Sequence, residues 1–406
     1  MAARADTELH LFPVEGGLAH EALHSVTIHV PSAPTIGKPR RVEAEEPAKA
    51  NSIRMERVYP TLAELGGEEA LRRGILRLGE SPQTAPLMHG PGVLASVIRR
   101  VQPDLIHSLE FQHAGYLVLE TKKFFGPEFP SWLATNWGSD IHYYRRFEDH
   151  RTQIKRLLAN IDLYSCECER DVGLARELGY QGPVLPVLPN SAGFCLKQIA
   201  NLRSPDPPSK RRLLMIKGYE HFAGRATVAL KVLERFADRL KDYKIILYSV
   251  SEVPLQRAKD LLARGVLNIQ IVSYASHEEM LEYFGRARAY MGISLSDAIS
   301  TSVLEAMAMG AFPIQTDTSC CREWFVDGEG GFTVPPDDFE HICARFIRAL
   351  EDDALVDKAA EINLVTVKAR LDSNVVKRQV AEFYDQAFLN AVKPYGESCE
   401  KASPAD

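Results

Sequence analysis

The segment Arg288–Gln315 restricts the fold of this 406-residue chain more than any other. Residues 288–293 (RAYMGI) read as a buried strand, and Ser294–Ser300 is a loop of small and polar residues. Ser302–Met309 follows with Leu, Glu, Ala and Met, all strong helix formers. Gly310 suits the position just past a helix end, and Phe312–Gln315 reads as the next strand. Strand, loop, helix and strand in that order form the repeating unit of a parallel sheet covered by helices.

A strand that feeds a helix through small residues leaves backbone N–H groups free at the helix start, where the dipole also favours negative charge. Asp297 and Glu305 stand eight positions apart around that start. Neither carboxylate would bind a phosphate. Both are able to accept hydrogen bonds from hydroxyls beside one, which is what a nucleotide sugar presents. A structural alternative stays open on spacing alone: Ser302-x-x-Glu305 is also a capping box, and Asp297 is also a turn or helix-dipole acid.

The same alternation runs through most of the chain. Leu9–Val14 and Val26–Val30 read as strands, Pro31–Ala50 as a Pro- and charge-rich connection, and Glu68–Leu78 and Gly92–Val101 as helices. Asp104–Ser108, Trp132–Asn136 and Leu163–Cys166 are further strands, with helices at Ala114–Lys122, around Ile154–Ala159 and at Arg170–Leu178. Pro-rich stretches at 185–193 and 204–210 mark a domain boundary. After it come strands at Arg212–Ile216, Lys244–Val250 and Ile269–Val272, with helices at Arg225–Leu240, Val253–Arg264 and His277–Ala287. The last of these helices opens with the capping box Ser276-x-x-Glu279. Phe339–Ala349 and Ala354–Ala387 read as helical, and Gly396–Asp406 as a tail. Only about ten residues, beginning Glu15-Gly16-Gly17, separate the first two strands, too few for a helical crossover between parallel partners. A Rossmann-like domain should open on such a crossover, so Leu9–Val14 stands as an atypical first strand unless an earlier unit precedes it.

Asp297-x7-Glu305, followed by Ala306-Met307-Ala308-Met309-Gly310 and Pro313-Ile314, resembles the E-x7-E motif of family 4 glycosyltransferases. The likeness continues through Glu323, Asp327-Gly328, Gly330-Gly331-Phe332, Val334-Pro335 and Asp337, and spans roughly Val101 to Ala387. It implies an α/β GT-B fold: two Rossmann-like domains with mostly parallel sheets facing across a cleft. On this reading residues 1–195 form an acceptor-side domain, shortened at its start. Residues 196–375 form a nucleotide-sugar domain, and 376–406 a helix returning toward the first domain plus a tail. The resemblance also implies retaining transfer from a UDP- or GDP-linked sugar to a glycan or lipid-linked acceptor, by same-face attack and without a metal or separate cofactor.

Carried over by position, Asp297 lies against the donor sugar and Glu305 holds the ribose. Asp297 is one methylene shorter than the family's Glu. Between the two acids the family has a Gly-rich loop, where this chain has Ala298-Ile299-Ser300, so Ser300, Thr301 and Ser302 supply hydroxyls near the diphosphate. The resemblance places an Arg and a Lys for the leaving group near Met215–Leu230. Arg225 is favoured there, with Lys217 second, at a strand edge where ligands of open α/β sheets bind. Trp137-Gly138-Ser139-Asp140 resembles the family's HGsD loop, with Trp137 in place of His. Gly138 permits close backbone approach; Asp140 either orients a hydroxyl or caps a helix. Glu323 matches a position near the donor, with a helix-dipole acid as the structural alternative.

Composition excludes other classes. A net charge of −6 and a pI near 6.1 oppose broad nucleic-acid binding. No G-x-G-x-x-G is present, which sets a dehydrogenase aside. The seven cysteines are scattered, with Cys166-x-Cys168 and Cys320-Cys321 the nearest pairs, so neither zinc nor a disulfide framework is expected, and reduced thiols fit a cytoplasmic setting. No secretory or membrane-spanning segment is read. Lys122-Lys123-Phe124-Phe125 pairs basic with aromatic residues, as peripheral membrane segments and ordinary helix ends both do. A nucleotide-sugar-binding GT-B protein without activity is the competing reading.

Overall fold

The structure is a computed structural model describing residues 7–14, 26–31, 54–58 and 90–391. The expected helix at Glu68–Leu78, the connection at 32–50, the Glu15-Gly16-Gly17 segment and the tail at Gly396–Asp406 lie outside the described residues. The first domain contains two parallel three-stranded ladders. One joins β1 (Leu9–Leu11), β2 (Val26–Pro31) and β3 (Arg54–Val58); the other joins β4 (Leu105–Leu109), β5 (Ser131–Thr135) and β6 (Leu163–Ser165). Helices α1 (Pro91–Val101), α2 (Tyr116–Lys122), α3 (Glu148–Leu158) and α4 (Glu169–Glu177) accompany them.

The spacing argument at the start of the chain is corrected. Leu9 pairs with Val26 and Leu11 with Ile28 in parallel. The first strand ends at Leu11 instead of Val14, so residues 12–25 are all available for the connection. That is the dozen or so residues a parallel crossover needs.

The second domain is one six-stranded parallel sheet in the order β12-β11-β10-β7-β8-β9. Its strands are β7 (Leu213–Lys217), β8 (Lys244–Tyr248), β9 (Ile269–Val272), β10 (Ala289–Gly292), β11 (Phe312–Thr316) and β12 (Phe332–Val334). Helices α5 (Leu196–Leu202), α6 (Ala226–Arg235), α7 (Glu252–Ala263), α8 (His277–Arg286), α9 (Thr301–Met309), α10 (Phe339–Glu351) and α11 (Asp353–Arg370) surround it. Alternation along β7 sends Leu214 and Ile216 into one core and Leu213 and Met215 into the other. Both faces are thus covered, as a parallel sheet requires. Strand order reverses between β7 and β10, which creates a switch point, the place where open α/β sheets bind ligands.

The stretch expected as one helix over Ala354–Ala387 is two, because it breaks at Leu371–Asp372 before α12 (Ser373–Ala391). Phe383 and Ala387 of α12 pack with Leu133, Leu163 and Leu185 of the first domain. Trp132 and Ala134 of β5 face a different core. The last helix therefore covers the second face of the β4–β6 sheet. The chain crosses between domains near Phe194 and again near Leu371. The two crossings bond to each other: Phe194 N donates to Leu371 O (2.6 Å), and Ser373 N to Phe194 O (2.9 Å). Gly193, at φ +73°, makes room for this stitch, since a Cβ there would lie 2.8 Å from Leu371 O.

Candidate active site

The site forms where the β7–β10 switch point meets the C-terminal edges of β4, β5 and β6. α9 begins at Ser300, whose side chain makes no capping bond, so the helix start is left without a side-chain acceptor. Lys217, the last residue of β7, donates from Nζ to Ser300 Oγ (3.2 Å) across the switch point. A cavity of about 220 Å³ opens there, lined by Ser139 of the first domain together with Lys217, Phe222, Ser294, Asp297 and Ser300 of the second.

Every residue of α9 from Ser302 to Met309 is buried, and Gly310 ends the helix at φ +82°. Glu305 is the one charged residue on this helix, and a buried carboxylate needs a partner. It finds one in His277, whose Nε2 lies 3.1 Å from Glu305 Oε1. That hydrogen bond raises the His277 pKa above its ordinary value. The capping-box alternative is therefore not what the structure contains: the helix starts at Ser300, and Glu305 turns to His277.

Among the other residues singled out, some meet at the cavity and some do not. Thr301 is exposed, whereas Ser300 and Ser302 are buried. Arg225 turns to its own loop, donating from Nη1 to His221 O (2.7 Å) and Gly224 O (2.6 Å). Glu220 Oε2 takes the Thr227 N–H at the start of α6 (2.8 Å), so the anion position at that helix is filled. Of the two cations, Lys217 is the one pointed at the cavity. Gly138 is wedged against the loop before α9: a Cβ would lie 2.4 Å from Ala298 N and 2.8 Å from Asp297 Oδ1. Asp140 Oδ2 accepts from Phe111 N (2.9 Å) and Trp137 N (2.7 Å), which ties β4 to β5 and commits the carboxylate to backbone. Burial pushes its pKa well up, against the pull of those amides. Glu323 reaches out of the second domain to the start of α4, accepting from Glu169 N (3.1 Å) and Arg170 N (3.3 Å). It is a helix-dipole acid on the opposite domain's helix.

Glu110 and Glu167 were not singled out by the sequence reading, and His142 reads there as a structural histidine beside Asp140. Glu110 ends β4 at φ +80°, a conformation non-glycine residues rarely adopt. Its carboxylate repairs the turn by accepting from Gln112, His113 and Ala114 amides. Glu167, just past β6, accepts from Asn190 N (3.0 Å), and burial lifts its pKa to about 7. His142 faces Ser296 Oγ (3.4 Å); burial, then the nearby Arg170, Arg146 and Arg145, lower it to about 4. Loop acids and a lone His carry no periodic signal, so only the fold identifies them.

The scattered cysteines are not all apart. Cys168 and Cys320 come together across the domain boundary, and with Glu323 they offer ligand atoms within 4.8 Å of one another. Both Glu323 oxygens already accept amides of α4, and Arg170 adds positive charge beside the thiols, so the surroundings oppose a bound cation. Among the described residues, no helix is long and apolar enough to cross a membrane.

Known proteins share the fold. Residues 211–352 match the glycosyl transferases group 1 family. A phosphatidyl-myo-inositol mannosyltransferase of Mycolicibacterium smegmatis is 24% identical over 202 residues, covering 49% of this chain. The chain spans about half the length of that relative, 51%. Among solved structures, sucrose-phosphate synthase from Thermosynechococcus elongatus aligns with TM-score 0.62 at 17% identity, over 90% of this chain and 89% of that one. The trehalose 6-phosphate synthase of Burkholderia multivorans gives 0.63 at 14%, over 94% and 99%. Anabaena HepE, solved with UDP and glucose, gives 0.61 at 13%, over 94% and 100%. Residues 211–352 are thus similar to the glycosyl transferases group 1 family, and the chain carries the GT-B fold.

Proposed function

We propose that this chain is a retaining, metal-independent glycosyltransferase of family 4. It moves a sugar from a UDP- or GDP-linked donor to a glycan or lipid-linked acceptor, in the cytoplasm. The observation that carries this reading is the start of α9: a helix N-terminus without a side-chain cap, at the sheet's switch point, with Lys217 on Ser300 and Asp297 at the cavity wall. Such a start offers N–H groups and a favourable dipole to a diphosphate. Lys217 neutralises charge as the nucleoside diphosphate departs, with Arg225 reaching in after a side-chain rotation. Asp297 holds hydroxyls of the sugar, and Glu305, oriented by His277, holds the ribose. The acceptor enters from the first domain, past Ser139 and Gly138. A lipid-linked acceptor would be met by a peripheral membrane contact at Lys122-Lys123-Phe124, where Phe124 is 52% exposed.

A second reading is donor binding without transfer; on either reading the cavity of about 220 Å³ bears on how the donor enters. Drug-sized ligand sites run from about 300 Å³ upward, so a nucleotide sugar requires the cleft to open. Calorimetric titration with UDP- and GDP-sugars, alongside a nucleotide-sugar hydrolysis screen, separates the two. Wild type is expected to bind and turn over one donor, and Glu305→Ala to lose at least about tenfold in affinity for it. Unchanged donor binding in Glu305→Ala would remove the ribose assignment; binding without turnover would favour the second reading.

A further inference from the structure

Arg170 belongs to the first domain but spends most of its guanidinium on the second. Its Nε donates to Asp171 Oδ1 (2.8 Å), and Asp171 is fully buried and held in turn by Asn136 Nδ2 (2.9 Å). With that side anchored, Nη1 donates to Thr318 O (2.9 Å) and Nη2 to Asp297 O (3.0 Å). Nη2 also lies 3.5 Å from Gly138 O, the residue wedged against Ala298. The backbone beneath is tied from the other direction, because Glu323 of the second domain takes the Glu169 and Arg170 amides. Each domain therefore grips the other at this one place.

The bond to Asp297 O is the informative one. It fixes the peptide plane that follows the carboxylate at the cavity wall, between the end of β10 and the start of α9. Asp297 and Ala298 have no glycine among them to set this turn. An external donor does so instead, and that donor is in place only when the domains are closed. Arg170 itself does not line the cavity.

We propose that Arg170 is a positioning residue for transfer: it sets the Asp297 turn from the opposite domain, so that the donor loop adopts its working shape only in the closed form. This rests on the glycosyltransferase reading of the same site. The role needs a planar fork with donors pointing in several directions. Lysine, with one compact ammonium, can satisfy only part of it.

The test compares full-length wild type, Arg170→Lys and Arg170→Ala in three measurements. These are calorimetric binding of UDP and GDP, steady-state turnover of the preferred donor, and amide hydrogen exchange across residues 294–300 and 131–135. Nucleotide affinity is expected to stay within about threefold, because the diphosphate contacts belong to the second domain. The turnover number should fall about 100-fold in Arg170→Ala, the scale of a small misplacement at a reacting centre, with part of it restored in Arg170→Lys. Exchange should quicken at 294–300 and remain unchanged in β5. Loss of affinity and turnover together, with faster exchange in β5 as well, would make Arg170 a general stabiliser and overturn the proposal. Unchanged exchange at 294–300 would overturn it too. A wild type that binds neither nucleotide would defeat the functional reading, and the exchange comparison would still decide whether Arg170 holds the Asp297 turn.

Discussion

The two domains solve the same packing problem by different means. The second closes itself: one six-stranded sheet, a core on each face, and helices drawn from its own sequence. The first borrows. Its β4–β6 sheet has one face against α1–α4 and leaves the other to α12, which arrives after the whole second domain has been made. A parallel sheet cannot leave a face in water, so the β4–β6 sheet is covered only when α12 has returned. On the proposed function the difference also divides the work: the second domain would supply the uncapped start of α9 beside Lys217, and the first a wall, Gly138 and Ser139, together with the Arg170 guanidinium that crosses to Asp297.

The sharpest test of this dependence is Phe383→Ala. Removing a buried aromatic side chain costs about 3–5 kcal/mol. The whole loss should fall on a first-domain transition in scanning calorimetry, with the second domain unmoved. A uniform shift of both transitions would mean that the domains fold as one unit and the contrast is false.

A smaller effect should come from Glu167, whose pKa rises from the ordinary 4.5 to about 7 through burial at the edge of the first domain. Its folded form holds the proton more tightly than the unfolded form. The carboxyl therefore costs nothing below about pH 4.5, and its cost grows as pH rises through 7, reaching about 3 kcal/mol above it. Glu167→Gln keeps an oxygen for the Asn190 amide. It should remove this slope and raise first-domain stability at pH 8 by about that amount, read from denaturant melts at several pH values. A wild-type melt flat between pH 5 and 8 would contradict it.

Gly138→Ala sharpens the comparison from the functional side. The added methyl would collide with the Ala298 amide, so the domains should stand apart while each stays folded. Turnover should drop about 100-fold, the equivalent of ~2.7 kcal/mol, with nucleotide affinity nearly kept. Equal loss of both would show that the first domain shapes the nucleotide position itself.

How far the sequence alone reaches follows the same division. The strands of the second domain alternate into two cores, and the pattern of apolar residues locates β7 to β11 within a residue or two. Gly310 and the Ser276–Glu279 capping box, which is fully formed, are equally local signals. The family motif places Asp297 at the cavity, and Lys217 comes from position at a strand edge. Contacts between distant residues are what periodicity cannot carry. Asp140 is spent on the Phe111 amide, Glu323 on α4, and Cys168 meets Cys320; each pairing joins residues from separate elements. Arg225 is favoured as the phosphate cation by the resemblance, and no local pattern announces that its guanidinium turns to the His221 and Gly224 carbonyls.

The stitch at Phe194 limits how the halves can move. Two crossings held together by Leu371 O and Ser373 N at a single residue resist sliding, since slippage of one past the other would break both bonds. Twisting about the stitch breaks neither. A two-bond stitch of this kind favours rotation of the halves over sliding, and the contacts that join them elsewhere, Gly138 on Ala298 and Arg170 on Asp297, would part together as such a rotation opens the cleft.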